Sequence, residues 1–172
     1  MAKYKYTPLD FYNYILLYDL RFSEQNRIIE DFFQSHNSEL ASAYRNDLPL
    51  LRREINNIKI CNTADANELN EVAIILNELK VKYKFAPQKE EYLFADYFKM
   101  LKLQLLYSGA QYKKVKLRAI LAKFGYKKRT EQVRKDLINT IKSLGLHPYL
   151  SYRVECEITK IPLDSLITFR LQ

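Results

Sequence analysis

The sequence predicts a mainly α protein in two parts: a helical bundle over residues 1–98, then a C-terminal part, residues 99–172, of helices closed by a small β-hairpin. Three observations predict it. Glycine (3) and proline (5) are scarce among the 172 residues, which disfavours sandwiches and barrels built on many tight turns. Apolar residues make up 48% of the chain, an ordinary share for a packed core, and a chain of this length buries about 70% of its unfolded surface. Charge divides unevenly. Residues 1–98 carry 12 Lys+Arg and 15 Asp+Glu, net −3, whereas residues 99–172 carry 16 and 5, net +11.

The first helix starts at Thr7-Pro8-Leu9-Asp10, with Thr7 as cap, Pro8 in the first helical position and Asp10 in the first turn. The run Phe11–Leu20 is apolar on nearly every side, which predicts burial on both sides or a partner. A second helix covers Glu24–Gln34 and stops near Ser38. Pro49 opens a third through Leu50, Leu51, Ile55 and Ile58, and Asn62-Thr63-Ala64-Asp65 breaks it. Glu68–Leu79 continues as helix, Lys80–Phe85 alternates as a short strand or a fraying end, and Pro87 begins a helix that runs to about Tyr107.

In the C-terminal part, Val115–Phe124 places Leu117, Ile120, Leu121 and Phe124 on one helical face, and Gly125 suits the left-handed residue that ends it. Thr130 is an N-cap, and the helix Glu131–Leu144 carries an apolar stripe of Val133, Leu137, Ile141 and Leu144. Its opposite face holds Gln132, Lys135, Asn139, Lys142 and Ser143. Ser151–Ile158 alternates, with Tyr152, Val154, Cys156 and Ile158 inward. Ser165–Leu171 alternates again, with Ile167, Phe169 and Leu171 inward. Two helices across a short turn form a helix-turn-helix unit, and the hairpin after it completes the order of a winged helix.

On those residues, Lys113–Leu171 resembles a winged helix-turn-helix domain. The stretch from Arg129 through Gly145-Leu146 to Leu163–Leu171 is similar to winged-helix modules appended to bacterial defence and restriction-linked proteins. The resemblance covers about a third of the chain. It implies DNA binding; the leading expectation is a double-stranded DNA-binding regulator or DNA-targeting subunit in a bacterial or phage setting.

The charge agrees with that implication, because Lys113–Arg129 holds eight basic residues and no acidic one. Lys127, Lys128 and Arg129 are expected to grip phosphate at the start of the second helix, where the helix dipole adds to them. Thr130, Gln132, Lys135, Asn139 and Lys142 are expected to face the groove, with Lys113, Lys114 and Lys116 on the backbone and Arg153 and Lys160 touching it from the wing. The N-terminal helices are the expected surface for a homodimer or a protein partner. An adaptor subunit is the alternative reading.

No enzyme is expected. His36 and His147 are isolated, and Cys61 and Cys156 lack metal-ligand spacing, so neither a metal nor a cofactor is expected. Asp65 with Glu78-Leu79-Lys80 permits a distant nuclease reading, in which the carboxylates would hold Mg²⁺. No secretory signal pattern and no membrane-length apolar run is present, so the chain is expected to be cytoplasmic with no membrane partner.

Overall fold

The computed structural model describes residues 4–36, 38–63, 78, 94–150 and 154–171. The chain divides into two compact units, one spanning Lys5–Pro87 and one formed by Gln88–Gln172 together with Met1–Tyr4. A cut at Phe98/Lys99 falls inside a helix of the second unit.

The first unit is built from α1 (Pro8–Tyr18), α2 (Phe22–Asp31), α3 (Ser38–Ala43) and α4 (Leu48–Thr63), with a π-helical turn at Phe32–His36. The start of α1 follows the sequence reading. The Thr7 N–H and hydroxyl both donate to the Asp10 carboxylate, at 2.8 and 3.0 Å, so two polar groups at the helix entrance are satisfied by one side chain. α1 ends at Tyr18, short of Leu20, because Asp19 adopts the left-handed region at φ 47°. Its apolar surface is not buried on both sides. Phe11, Tyr12 and Tyr14 are buried, while Leu16 (59%) and Leu17 (64%) are exposed.

The rings of Tyr6, Phe11 and Phe32 pack together, with Phe32 4.6 Å from Tyr6 and 5.2 Å from Phe11. Burial raises the Tyr6 hydroxyl pKa well above its usual value, and the nearby Asp10 adds to it. α4 packs on α1; of its expected apolar residues Leu51, Ile55 and Ile58 are buried, and Leu50 is half-buried. Asp47 starts α4, its carboxylate accepting from the Leu50 N–H at 3.0 Å, and the helix continues through the expected break to Thr63. Arg52 ties α4 to α2 through the Glu30 carboxylate at 3.0 Å and the Asn26 carbonyl at 3.3 Å. The predicted helix Glu68–Leu79 and the segment Lys80–Phe85 lie outside the described residues, apart from Glu78, which is exposed and helical.

The second unit runs α5 (Phe94–Tyr107), β1 (Lys113–Lys116), α6 (Leu117–Lys123), α7 (Glu131–Ser143), β2 (Leu146–Tyr149) and β3 (Leu166–Leu171). The strands form one antiparallel sheet in the order β1-β3-β2. The part of the predicted Pro87–Tyr107 helix that precedes Phe94 lies outside the described residues. α5 packs on α7 and β3, and α7 packs on β2. Phe98, Leu117, Ile120, Leu137, Ile167 and Phe169 have essentially no exposure and form the core, with Phe98 and Phe169 meeting edge to face at 5.5 Å. Gly125 and Gly145 follow α6 and α7 at φ 72° and 63°, the left-handed conformation that ends a helix at little cost for glycine.

Three expectations for this unit are corrected. Val115 and Lys116 belong to a strand, because Lys113–Lys116 pairs with Leu166–Phe169. A pairing across some fifty residues leaves no trace in local periodicity. The first strand after α7 is Leu146–Tyr149; of the expected strand Ser151–Ile158, Glu155 forms an isolated bridge to Tyr149, and residues 151–153 lie outside the described residues. β2 includes Pro148, tolerated near a sheet edge, whose carbonyl accepts from the Cys156 N–H at 2.9 Å. Val154, expected inward, is 60% exposed, while Ile158 is buried as expected; Tyr152 lies outside the described residues. The C-terminus is thus a three-stranded sheet rather than a lone hairpin.

Candidate nucleic-acid interface

α7 is set by its two ends and its buried stripe. Thr130 is extended, and its hydroxyl accepts from the Val133 N–H at 3.3 Å, satisfying one orphan amide of the first turn. Val133, Leu137, Thr140 and Ile141 face the core. At 100° per residue, Gln132, Lys135, Asn139 and Lys142 fall within one outward arc, and all four are exposed. Two carboxylates share the helix. Asp136 accepts from Gln132 Nε2 at 3.2 Å, and Glu131 lies 3.9 Å from the Arg134 guanidinium.

The turn before α7 is held by aromatic packing. Tyr126 stacks on Phe94 at 5.6 Å with 20° between planes, and Phe124 meets Phe94 at 4.5 Å. Lys127 and Lys128 stand exposed on this turn with no ion-pair partner among the described residues. Arg129 is placed differently. It is half-buried, and its Nη1 donates to the Ile158 carbonyl at 2.7 Å. It therefore ties the entrance of α7 to the loop between β2 and β3. Desolvation, followed by the charge of Arg134, lowers its pKa.

That same loop carries Lys160, whose ammonium sits 2.7 Å from Glu157. Hydrogen bonds from Lys160 and Thr159 hold the Glu157 carboxyl below the usual carboxylate range, and Lys142 adds to this from α7. Lys160 is thus paired with Glu157, and Lys142 lies within the field of the same carboxylate. Arg153 lies outside the described residues.

Lys113, Lys114 and Lys116 are exposed on β1. In the sheet order, β3 separates this strand from β2, on which α7 packs. The structure therefore does not gather the sequence-predicted residues into one patch. Gln132, Lys135, Asn139 and Lys142 share the α7 face beside Lys127 and Lys128, and the β1 lysines sit on the sheet.

Further cations of this unit beyond the predicted set have defined contacts. Arg118 forms a two-pronged pair with Asp164 at 2.7 and 2.8 Å, which raises the arginine pKa and holds the Asp164 carboxyl below its usual range. Lys123 lies 5.0 Å above the Tyr97 ring. Arg170 sits 5.4 Å from the Tyr112 ring centroid. The alternation of Ser165–Leu171 already placed Arg170 outward; what only the fold supplies is the aromatic ring beside it.

Among the described residues no group of three His, Cys, Asp or Glu side chains is arranged to hold a metal ion, and no helix is long and apolar enough to cross a membrane. No protein-family model, curated protein or solved structure matches this chain.

Proposed function

We propose that the Gln88–Gln172 unit is a winged helix that binds double-stranded DNA, as a regulator or as the targeting subunit of a larger assembly. The observation that carries the reading is the outward arc of α7, where Gln132, Lys135, Asn139 and Lys142 lie next to Lys127 and Lys128, which have no ion-pair partner among the described residues. Amide and ammonium side chains on one exposed helix face match the donors and acceptors that base edges present in a major groove. Cations at the helix entrance reinforce the dipole against phosphate. The element order supports the same reading: helix, strand, helix, helix, strand, strand, with the last strand central in the sheet. In this scheme Arg129 braces the wing loop against α7 and leaves the phosphate contact to Lys127 and Lys128.

Anisotropy titration of the full chain with a random-sequence duplex tests it. Affinity is expected to fall by orders of magnitude between about 50 and 200 mM salt. Gln132→Ala with Asn139→Ala is expected to remove preference among duplex sequences while leaving the salt dependence in place. Salt-insensitive binding, or no binding, overturns the reading.

A second role belongs to the Lys5–Pro87 unit. Leu16, Leu17 and Phe22, close in sequence around the α1–α2 turn, are all more than half exposed, and contiguous exposed apolar surface marks interaction sites. We read this as the surface for a protein partner or a second copy of the chain. Sedimentation over a concentration series tests the homodimer: Leu16→Glu with Leu17→Glu should shift an associating chain to monomer.

A further inference from the structure

We propose that the outward face of the three-stranded sheet is a second nucleic-acid site, separate from α7, that takes unpaired nucleotides by stacking a base at Tyr112 and holding phosphate with Lys114, Lys116 and Arg170. The proposal does not depend on duplex binding by α7, because the two surfaces share none of these side chains.

The geometry starts from strand alternation. Ile167 and Phe169 of β3 turn into the core, so Thr168 and Arg170 turn the other way. The register sets Lys114 opposite Thr168 and Lys116 opposite Leu166, which puts both lysines on that same outer face. Tyr112 directly precedes β1, is 46% exposed, and has Lys114 Nζ and the Arg170 guanidinium carbon each 5.4 Å from its ring centroid. One ring and two cations thus converge where β1 and β3 pair.

Lys114 and Arg170 have no carboxylate partner among the described residues, and the Arg170 Nε is buried without a hydrogen bond there. The acids around the sheet are already engaged: Glu155 lies 3.2 Å from His147, and Asp164, whose charge reaches Lys116, is held by both prongs of Arg118. The contrast with α7 is chemical. On that helix, carboxylates at Glu131 and Asp136 sit among the cations, whereas the Tyr112 cluster has cations and an aromatic ring.

Shape selects the ligand. An exposed ring gains stacking energy only from a base whose face is free, which excludes the interior of a duplex and favours a single strand. Lys114 and Lys116 repeat at about 6.8 Å along the strand, comparable with one nucleotide of an extended backbone.

The test is anisotropy of the full chain with a fluorescent oligo(dT) strand and, in parallel, a duplex. Tyr112→Ala should weaken oligo(dT) binding by about 5- to 150-fold, the equivalent of one stacked base, and leave duplex affinity unchanged. Tyr112→Phe, which keeps the ring, should bind as wild type. Lys114→Ala with Lys116→Ala should lower the salt slope for oligo(dT) by about 1.4. Lys127→Ala with Lys128→Ala should spare oligo(dT) binding. The proposal is overturned if Tyr112→Ala binds oligo(dT) as wild type does, if Tyr112→Phe loses as much as the alanine variant, or if the wild-type chain does not bind oligo(dT). A chain that binds oligo(dT) through Tyr112 but binds no duplex supports this site and removes the α7 reading.

Discussion

The two units handle charge in opposite ways. Lys5–Pro87 carries 10 Lys+Arg and 12 Asp+Glu, and Gln88–Gln172 carries 17 and 8. In the first unit, cations meet carboxylates of neighbouring elements at the surface, as in Arg52 with Glu30 and Lys5 with Glu39. In the second, Arg118 pairs with Asp164 and Lys160 with Glu157, while Lys113, Lys114, Lys127, Lys128 and Lys135 remain exposed. An excess of fixed charge destabilises a compact state by self-repulsion. A polyanion that neutralises it relieves that cost, so the second unit is the one whose stability should respond to nucleic acid. The apolar surface runs the other way: Leu16, Leu17 and Phe22 lie exposed on the near-neutral unit, where a protein contact meets little repulsion.

The sharpest way to break the comparison is to unfold the charged unit through its core. Phe169 is fully buried and joins β3 to α5 through Phe98, so Phe169→Ala should cost about 3–5 kcal/mol in urea unfolding and abolish duplex binding with it. Retained duplex binding would show that the interface does not need this sheet. Next, Lys127→Ala with Lys128→Ala should leave the fold intact and lower the salt slope of duplex binding by about 2. An unchanged slope would detach that turn from phosphate.

Two caps compare the units directly. Asp10 is buried and satisfies both the N–H and hydroxyl of Thr7, so Asp10→Ala should cost about 1–2 kcal/mol. Thr130 makes one longer bond at an exposed site, and Thr130→Ala should cost nearer 0.5–1 kcal/mol. Equal losses in thermal unfolding would mean that burial does not separate the two caps.

The smallest effect is expected at Asp164→Asn. Arg118 lowers the Asp164 pKa in the folded state, so this carboxylate stabilises the fold above its unfolded value of about 3.9 and the contribution disappears as pH falls through the lowered one. The difference in Tm between wild type and Asp164→Asn should therefore be small at neutral pH and vanish in strong acid. A difference that grows on acidification would reverse the sign assigned to the pair.

How much was legible depended on the range of the interaction. Thr7-Pro8-x-Asp10, the Leu51/Ile55/Ile58 stripe, the Gly125 and Gly145 stops and the Thr130 cap are local. Their signals lie within a turn or two of helix, and the structure follows them. Strand β1 was not legible, because Lys113-Lys114-Val115-Lys116 has one apolar residue and becomes a strand only by pairing with Leu166–Phe169. The same lack of range made Arg129 look like one more phosphate-gripping cation, when its partner is a carbonyl 29 residues away.

By itself, the sequence determined the helical class, the end signals of α1, α6 and α7, the polar arc of α7 and the concentration of positive charge in the second half. These rest on hydrophobic period and backbone preference, which act between near neighbours. The tertiary structure decided which cations remain free, where the sheet edges lie, and that Tyr112 meets Lys114 and Arg170. Those depend on strand register and on which carboxylate comes within reach, and both arise only when distant segments are packed against one core.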